Sequence, residues 1–384
     1  MPSTRTGTYE RQQEGHRAFI PASLPPKDLA IDDELQRLTS KADVAVGRLD
    51  GAVSVLPDPD LFVPQYVRRE AVLSSQIEGT DASLMDVLEY EAQMERVERR
   101  VDVDEIINYI GAMNYGLTRL PELPLSRRLL CEVHGILMKD VRGGEPHKTP
   151  GEFRKSQNWI GGASPATAKF VPPPWEAIGG LFANLEGFLH DPEPMAPLLK
   201  AGIAHAQFET IHPFLDGNGR VGRLLITFWL VEQQILRKPV LYTSLHFKEH
   251  REEYVARLQA IRDEGDWEGW LAFFLDGIAH VAEEATGTAV RILELRERDR
   301  ARITSLMGRR SGSGLALLDG LFQRPVVTGK FVQNLLRVSA PTASGLLGRF
   351  AQLEILREIT GKQRNRLFAY EDYLDLFPGA ESRG

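Results

Sequence analysis

Apolar residues recur at spacings of three and four along most of the chain from about Asp32 onward, the period of helices that bury one face. The run DDELQRLTSKADVAVGRLDG keeps that spacing and ends at Gly51. A second helix is predicted after Pro64, over QYVRREAVLSSQIEG, stopping at Gly79. Ser83 can cap a third, LMDVLEYEAQMER. Further helices are predicted over about 104–120, 126–138, 175–189, 196–212, 220–236 and 249–264, with one or two more in 267–300. The helical period disappears in GEFRKSQNWIGGASPATAKFVPPP, where Gly-Gly, Ser-Pro and three consecutive prolines predict a long loop or a short hairpin. The first thirty or so residues are polar and then Pro-rich, and are expected to run extended over the surface.

A change of texture follows at Gly308-Arg309-Arg310-Ser311-Gly312-Ser313-Gly314, a flexible hinge candidate. Beyond it come a helix over 316–322, one starting near Thr328, a turn at 337–340, and a helix opened by Pro341. ILREIT, a GKQRN turn and RLFAYE then predict a two-stranded hairpin. Helix, helix, turn, helix, hairpin is the plan of a winged helix-turn-helix.

A length of 384 residues exceeds one compact core and predicts two or three domains. With 42% hydrophobic and 26% charged residues, the chain is neither collagen-like, disordered nor a coiled coil. The single cysteine, Cys131, cannot close an internal disulfide and fits a reducing compartment. No apolar run reaches the roughly 20 residues of a membrane helix. The first residues lack the apolar core of a signal peptide. A soluble cytoplasmic protein with no membrane partner is expected. Charge is uneven: residues 301–370 hold eleven Lys/Arg and three Asp/Glu, a balance of +8, which leaves −15 for the rest of a chain whose total is −7. A basic module on an acidic body fits either a nucleic-acid partner or a solvated basic face.

The densest chemistry is His212-Pro213-Phe214-Leu215-Asp216-Gly217-Asn218-Gly219-Arg220-Val221-Gly222-Arg223. An imidazole ends one helix, Pro213 stops it, and a small-residue turn opens the next. Such a turn aims several backbone N–H groups at one spot, and the helix dipole favours an anion there. Gly217 and Gly219 permit close approach and positive φ. Asn218 can add its side-chain amide. Arg220 and Arg223, three apart, face roughly the same way. Asp216 is a hard oxygen ligand suited to Mg²⁺. These parts make a polyphosphate cradle with a metal and a candidate base beside it. Two other patterns compete: Gly217-x-Gly219-x-x-Gly222 matches a dinucleotide fingerprint but follows a helix rather than a strand, and His246, Glu249 and His250 match H-x-x-E-H without a convincing third zinc ligand. His205, one face up from His212, fits packing.

HPFLDGNGRVGR resembles the signature of the Fic (filamentation induced by cAMP) family, HxFx[DE]GNGRxxR, with every defining position filled. The resemblance extends to the Pro-rich N-terminus, the SQNWIGG…KFVPPP segment and the C-terminal winged helix. It implies a mainly α fold: a Fic-type helical core with a short β-hairpin flap, plus the winged helix. The domains expected are 1–100 with an inhibitory helix, 101–295 as catalytic core and 305–375 as winged helix. It implies transfer of AMP from ATP, with Mg²⁺, to a Ser, Thr or Tyr hydroxyl of a target protein or of the chain itself. On that resemblance His212 is the general base, and Asp216 holds Mg²⁺ on the phosphates. Gly217, Asn218 and Gly219 form the anion hole, Arg220 contacts phosphate, Arg223 pairs with the γ-phosphate, and Gly222 is counted with them as ATP-binding.

Ser74-Ser75-Gln76-Ile77-Glu78-Gly79 is similar to the [ST]xxxE[GN] inhibitory helix of Fic proteins. A Glu in the last helical turn opposes the helix dipole, which a cation elsewhere can offset, although many helices carry such a Glu with no further role. The resemblance supplies Arg223 as that cation, with Ser74 steadying the contact. In some relatives this Glu also orients water to remove AMP. The flap residues Asn158, Trp159, Ile160 and Gly161 resemble a segment that holds a target by strand addition, although Trp159 equally fits a core anchor. Tyr254 and Asp263 match positions that line the adenine pocket in some Fic proteins, or pack as in any amphipathic helix. In the C-terminal module Ser339, Thr342 and Arg349 are candidates to read DNA, with Lys362, Arg364 and Arg366 on phosphates. Protein contact or homodimerisation is the alternative there. The rival function is a DNA-binding transcriptional regulator whose Fic site senses nucleotide.

Overall fold

The computed structural model describes residues 5–13, 15–56, 58–93, 100–193 and 195–377. Two short strands, β1 (Gly7–Arg11) and β2 (Arg17–Pro21), precede α1 (Asp33–Ser54), α2 (Val63–Ile77), α3 (Leu84–Gln93), α4 (Val101–Arg119) and α5 (Arg127–Leu137). After the long loop come α6 (Trp175–His190), α7 (Pro197–Ile211), α8 (Asn218–Glu232), α9 (Ser244–Glu249), α10 (Arg251–Glu264) and α11 (Trp267–Leu306). The C-terminal module is α12 (Ser311–Gln323), β3 (Val326–Thr328), α13 (Gly329–Leu336), α14 (Ala340–Gln352), β4 (Arg357–Glu358), β5 (Leu367–Ala369) and α15 (Glu371–Leu374). Its sheet runs in the order β3-β5-β4, both pairs antiparallel. Among the described residues, no helix is long and apolar enough to cross a membrane. The fold is mainly helical.

α7 and α8 form the centre. Residues 198–211 of α7 are all buried, as are 218 and 220–230 of α8. A helix covered on every side has no polar stripe, so its amphipathic period fades. The other helices cover this pair. α1, capped by Asp32 Oδ1 accepting from Leu35 N–H at 2.9 Å, turns Leu35, Leu38, Ala42, Val46 and Leu49 inward along α11. Trp270 of α11 donates its indole N–H to the Gly202 carbonyl of α7 at 2.9 Å. α11 is one 40-residue helix, spanning roughly 60 Å. It runs unbroken from Trp267 to Leu306 and leads into the C-terminal module.

Several elements depart from the sequence expectations. The N-terminal segment does not merely run over the surface: β1 and β2 pair antiparallel, Ala18 and Phe19 are buried, and Phe19 N–H donates to Val171 O at 3.0 Å. No hinge opens at 308–314. A single 3₁₀ turn leads straight into α12, and Gly314 lets that helix fold back, since a Cβ there would stand 2.8 Å from Ile303. β3 was not foreseen; three residues are too few to show a period of two. α3 is described to Gln93, and the part of its predicted extent at 94–96 lies outside the described residues.

α4 crosses α8 at Gly116, where a Cβ would stand 2.2 Å from the Phe228 ring. Gly116→Ala should therefore destabilise the fold by about 1–3 kcal/mol despite alanine's better helix propensity. Gly111→Ala, on the same helix with its nearest neighbour at 3.7 Å, should be neutral or slightly stabilising. Thermal unfolding of the two variants checks this: equal melting temperatures would refute it.

Candidate active site

The site forms at the α7–α8 corner. His212 caps α7 in the left-handed conformation, φ 50° and ψ 60°, and Gly217 at φ 74° precedes the first residue of α8. No side chain caps α8, so the N–H groups of its first turn are left for another acceptor. Asn218 departs from expectation. Its side-chain amide donates to Phe214 O at 2.8 Å and accepts from Phe214 N–H at 2.8 Å, so it stiffens the loop and leaves only its backbone N–H to the cradle.

Two arginines enter from α8. Arg220 is 4% exposed, and its Nε and Nη1 are buried without a hydrogen-bond partner. Its neighbours are distant: Glu105 at 3.7 Å, Asp216 at 4.0 Å and the Met138 sulfur at 3.5 Å. Arg223 instead makes three hydrogen bonds within the chain. Its Nε donates to Ser74 Oγ at 2.7 Å, and its Nη2 to Ser74 O at 3.0 Å and Glu78 Oε1 at 2.6 Å. The Glu78 carboxylate also lies over the start of α8, with Oε1 only 2.3 Å from where a Cβ on Gly219 would be. Its side chain is 40% exposed, whereas the Arg223 guanidinium it meets is 1% exposed. Burial raises its pKa, but the Arg223 charge and hydrogen bond outweigh that and hold it below the usual carboxylate range. An ionised carboxylate thus occupies the anion cradle. Gly79, φ 97°, ends the turn that delivers it.

Beside this pair lies the His212 imidazole, with Nδ1 buried and unpartnered. Burial, reinforced by the charges of Arg154 and Arg262, pushes its pKa down to about 3, so the ring is neutral. Arg154 braces the corner from the loop: Nε donates to His212 O at 2.9 Å, Nη1 to Ser156 O at 3.0 Å and Nη2 to Pro173 O at 2.5 Å. His134 stacks on Phe214 at 3.8 Å, accepts from Gly151 N–H at 2.8 Å, and places Nε2 3.1 Å from Asp216 O. Asp216 is half-exposed. Its Oδ1 accepts from Gly217 N–H at 2.7 Å and its Oδ2 pairs with Lys148 at 3.2 Å. Among the described residues no three His, Cys, Asp or Glu gather as a metal cluster. A single carboxylate beside an anion cradle still fits Mg²⁺, which takes most of its ligands from phosphate and water.

A second tier of polar groups backs the arginines. Glu209, one turn before His212, is buried with Oε1 unpartnered, 2.2 Å from where a Cβ on Gly222 would be. Glu70 of α2 accepts from Ser244 N–H at 3.0 Å, Ser244 Oγ at 2.5 Å and Tyr109 Oη at 3.2 Å. Burial pushes both carboxyls up to about 7. His205 Nδ1 lies 2.9 Å from Gly222 O and its Nε2 2.9 Å from Tyr254 Oη. Sequence reasoning singled out neither Arg154, His134, Glu209, Glu70 nor Tyr109; their partners lie on other elements and leave no local signal.

The remaining candidates separate into those brought to the corner and those not. Asn158 donates to Phe214 O at 2.9 Å, tying the flap to the motif loop. Ile160 pairs with Phe170, the one bridge of the expected hairpin, with Gly161 at φ 66° and Trp159 40% exposed. Tyr254 is buried against Phe247 at 4.6 Å, and Asp263 lies on the exposed face of α10, accepting from Gln259 at 3.0 Å. The His246 and His250 rings lie 4.6 Å apart, but among the described residues no third ligand joins them, so the H-x-x-E-H pattern does not assemble a metal cluster. Ser339, Thr342, Arg349, Lys362, Arg364 and Arg366 are all exposed, far along the chain from the corner. Ser339 also caps α14, and Arg349 donates to Leu306 O at 3.0 Å.

The family model "Fic/DOC family N-terminal" matches residues 36–118, and "Fic/DOC family" matches 124–230. A probable protein adenylyltransferase of Aquifex aeolicus is 29% identical over 198 residues, 52% of this chain and 56% of that one. The protein adenylyltransferase Fic of Culex quinquefasciatus is 31% identical over 177 residues, 45% of this chain and 32% of that protein. The chain thus spans about half, or less, of the length of these curated relatives. Among solved structures, a Fic family protein from Desulfovibrio desulfuricans G20 superposes with a TM-score of 0.57 at 18% identity, covering 89% of this chain and 97% of that one. A fragment of Fic-1 from C. elegans gives 0.50 at 19% identity, over 68% and 74%. At such identity the structures speak to fold alone, and they agree with the two sequence matches that flank and contain the His212–Arg223 corner: this chain belongs to the Fic/DOC family.

Proposed function

We propose that this protein is an autoinhibited adenylyltransferase that moves AMP from ATP to a Ser, Thr or Tyr hydroxyl of a protein, itself included. The curated relatives named adenylyltransferases support the reaction class. The observation that carries the reading is the ionised Glu78 carboxylate lying against Gly219 and Arg223, while Arg220 keeps buried donors unused. An anion site built on a buried arginine and filled by the chain's own carboxylate is one that a phosphate takes when the carboxylate leaves.

With Glu78 withdrawn, the γ-phosphate of ATP pairs with Arg223, and the first-turn N–H groups of α8 with Arg220 hold the phosphates behind it. The neutral His212 takes the proton of the acceptor hydroxyl, whose oxygen attacks the α-phosphorus. The bond to the β-phosphate oxygen breaks, and pyrophosphate leaves. Incoming phosphates raise the low pKa of His212 toward the range a general base needs. Asp216 would hold Mg²⁺, which when bound neutralises charge on the phosphates. Removal of AMP starts instead from the modified protein: a water oriented by Glu78 attacks the phosphorus of the AMP–protein bond, the bond to the side-chain oxygen breaks, that oxygen leaves as the free hydroxyl with a proton returned to it, and AMP is released. The flap edge at 159–161 supports a target held as an added strand.

A second reading concerns the C-terminal module. We infer that it is a winged helix-turn-helix: Arg337, φ 53°, turns α13 into α14, and the β4–β5 turn is the wing. The exposed Lys362, Arg364 and Arg366 of that turn favour DNA backbone contact.

Three outcomes test these readings. With α-labelled ATP and Mg²⁺, Glu78→Gly should raise label on protein by about 5–150-fold, the usual span of a regulatory coupling, and Glu78→Gly/His212→Ala should lose about 10²–10⁴-fold of it. An unlabelled Glu78→Gly that still binds ATP would sink the transferase reading. In the nucleotide-free protein, His212 should remain neutral at pH 6 by ring NMR. Because the unfolded imidazole takes its proton near 6.5 and the folded one only near 3, acidification below about 6.5 favours unfolding, and His212→Ala should lose less stability between pH 7 and 4.5 than wild type. Finally, Lys362→Ala/Arg364→Ala should lower the slope of log K against log salt for duplex DNA by about 2; an unchanged slope removes the wing from the contact.

A further inference from the structure

α2 is a single helix that carries two unrelated sets of contacts. Its C-terminal end delivers Ser74 and, just past it, Glu78 to Arg223. Its N-terminal half is held by the C-terminal module. Phe62 at the head of α2 packs edge-on to Phe322 of α12 at 4.9 Å, both fully buried. Tyr66 packs edge-on to Phe377 at 5.4 Å and donates to Ala285 O of α11 at 3.2 Å. Arg68 is 9% exposed; it grips Glu91 through Nε at 3.1 Å and Nη2 at 2.8 Å, and donates its Nη1 to Gln323 O, the last carbonyl of α12, at 3.2 Å. The module is itself anchored to α11, where Tyr370 donates to the buried Asp299 at 2.6 Å.

Between these ends α2 has no side free to yield. Gln65 to Ser75 are buried without exception, no glycine or proline interrupts 65–77, and Glu70 pins the middle to Ser244 and Tyr109. A helix continuous from Tyr66 to Ser74, about 12 Å long, passes a displacement at one end to the other.

We propose that the C-terminal module sets the brake: by gripping Phe62, Tyr66 and Arg68 it holds α2 in the register that keeps Glu78 on Arg223, and loosening that grip releases the cradle. This rests on Glu78 being the brake. It makes the regulation of the His212 site a property of the module's state, so that whatever the module binds reaches the cradle through α2 and not through contact with it.

The test uses the full chain with Arg68→Met, which cuts the link to the Gln323 carbonyl, and Phe322→Leu, a milder loosening of the aromatic contact. Arg309→Ala, an exposed residue of the same region away from α2, is the control. Hydrogen exchange of the Glu78, Gly79 and Thr80 amides, which close the α2 terminus on Ser75 O and Gln76 O at 3.1–3.2 Å, reads the grip without any activity. Exchange there should quicken about 5-fold or more in both variants, with α7 and α8 unchanged, and stay at the wild-type rate in the control. Labelling from ATP should rise by a similar factor, and adding either substitution to Glu78→Gly should raise it no further. Wild-type exchange at 78–80 in both variants overturns the proposal. So does exchange that quickens equally in α7 and α8, which is general destabilisation. So does a further rise on top of Glu78→Gly, which means the module acts by another route. If Glu78→Gly itself stays unlabelled, the transferase reading fails, and the exchange data still judge the coupling.

Discussion

A guanidinium that is 1% exposed cannot shed its proton and must be answered by a carboxylate or a phosphate. Arg223 is that group, and much of the molecule is arranged around its demand. Ser74 Oγ and Ser74 O satisfy two of its donors, and Glu78 supplies the charge. Because an unpaired buried charge costs several kcal/mol, Glu78 cannot simply swing into solvent while Arg223 waits. One anion must replace another. The site is therefore an exchange site, not an empty pocket.

The charge balance explains why three carboxyls near one arginine do not disrupt the core. Only Glu78 touches Arg223, and only Glu78 has its pKa lowered. Glu70 and Glu209, more deeply buried and without a salt bridge to a cation, are raised to about 7 and so titrate within the neutral range. Glu70 uses its oxygens to accept from Ser244 and Tyr109, which ties α2 to α9 and α4. Glu209 has no such partner for Oε1. The Glu78 charge already raises Glu209, and an anion of greater charge in its place raises it further.

How much of this was legible in sequence follows from how local each determinant is. The His212–Arg223 corner is twelve consecutive residues whose roles follow from backbone geometry: a left-handed cap, a proline stop, two glycines and an uncapped helix start. Ser74 and Glu78 were legible through the resemblance of their short string to an inhibitory helix; a Glu at a helix end does not by itself name its partner. Arg154 and His134 were not, because they act on carbonyls fifty-eight and eighty-two residues away, and nothing beside them in sequence marks it. The N-terminal hairpin was missed for a related reason. Its only large core residue is Phe19, and the strand owes its place to Val171 across the molecule. Asn218 shows the opposite error: a residue of the right type, in the right place, whose side chain the loop itself consumes.

The glycines of the motif tie these threads together. Gly219 lacks the Cβ that would collide with Glu78, and Gly222 the one that would collide with Glu209. The missing side chain at 219 that lets a phosphate come within hydrogen-bond distance of α8 is the same absence that admits the Glu78 carboxylate. Any substitution there that expels the carboxylate by bulk also fills the space a phosphate needs. The brake therefore cannot be lost at the cradle without losing the cradle. It can be lost at Glu78 itself, or where α2 is held. Release by displacement of α2 leaves every atom of the anion site intact, which is what a reversible control of this corner requires.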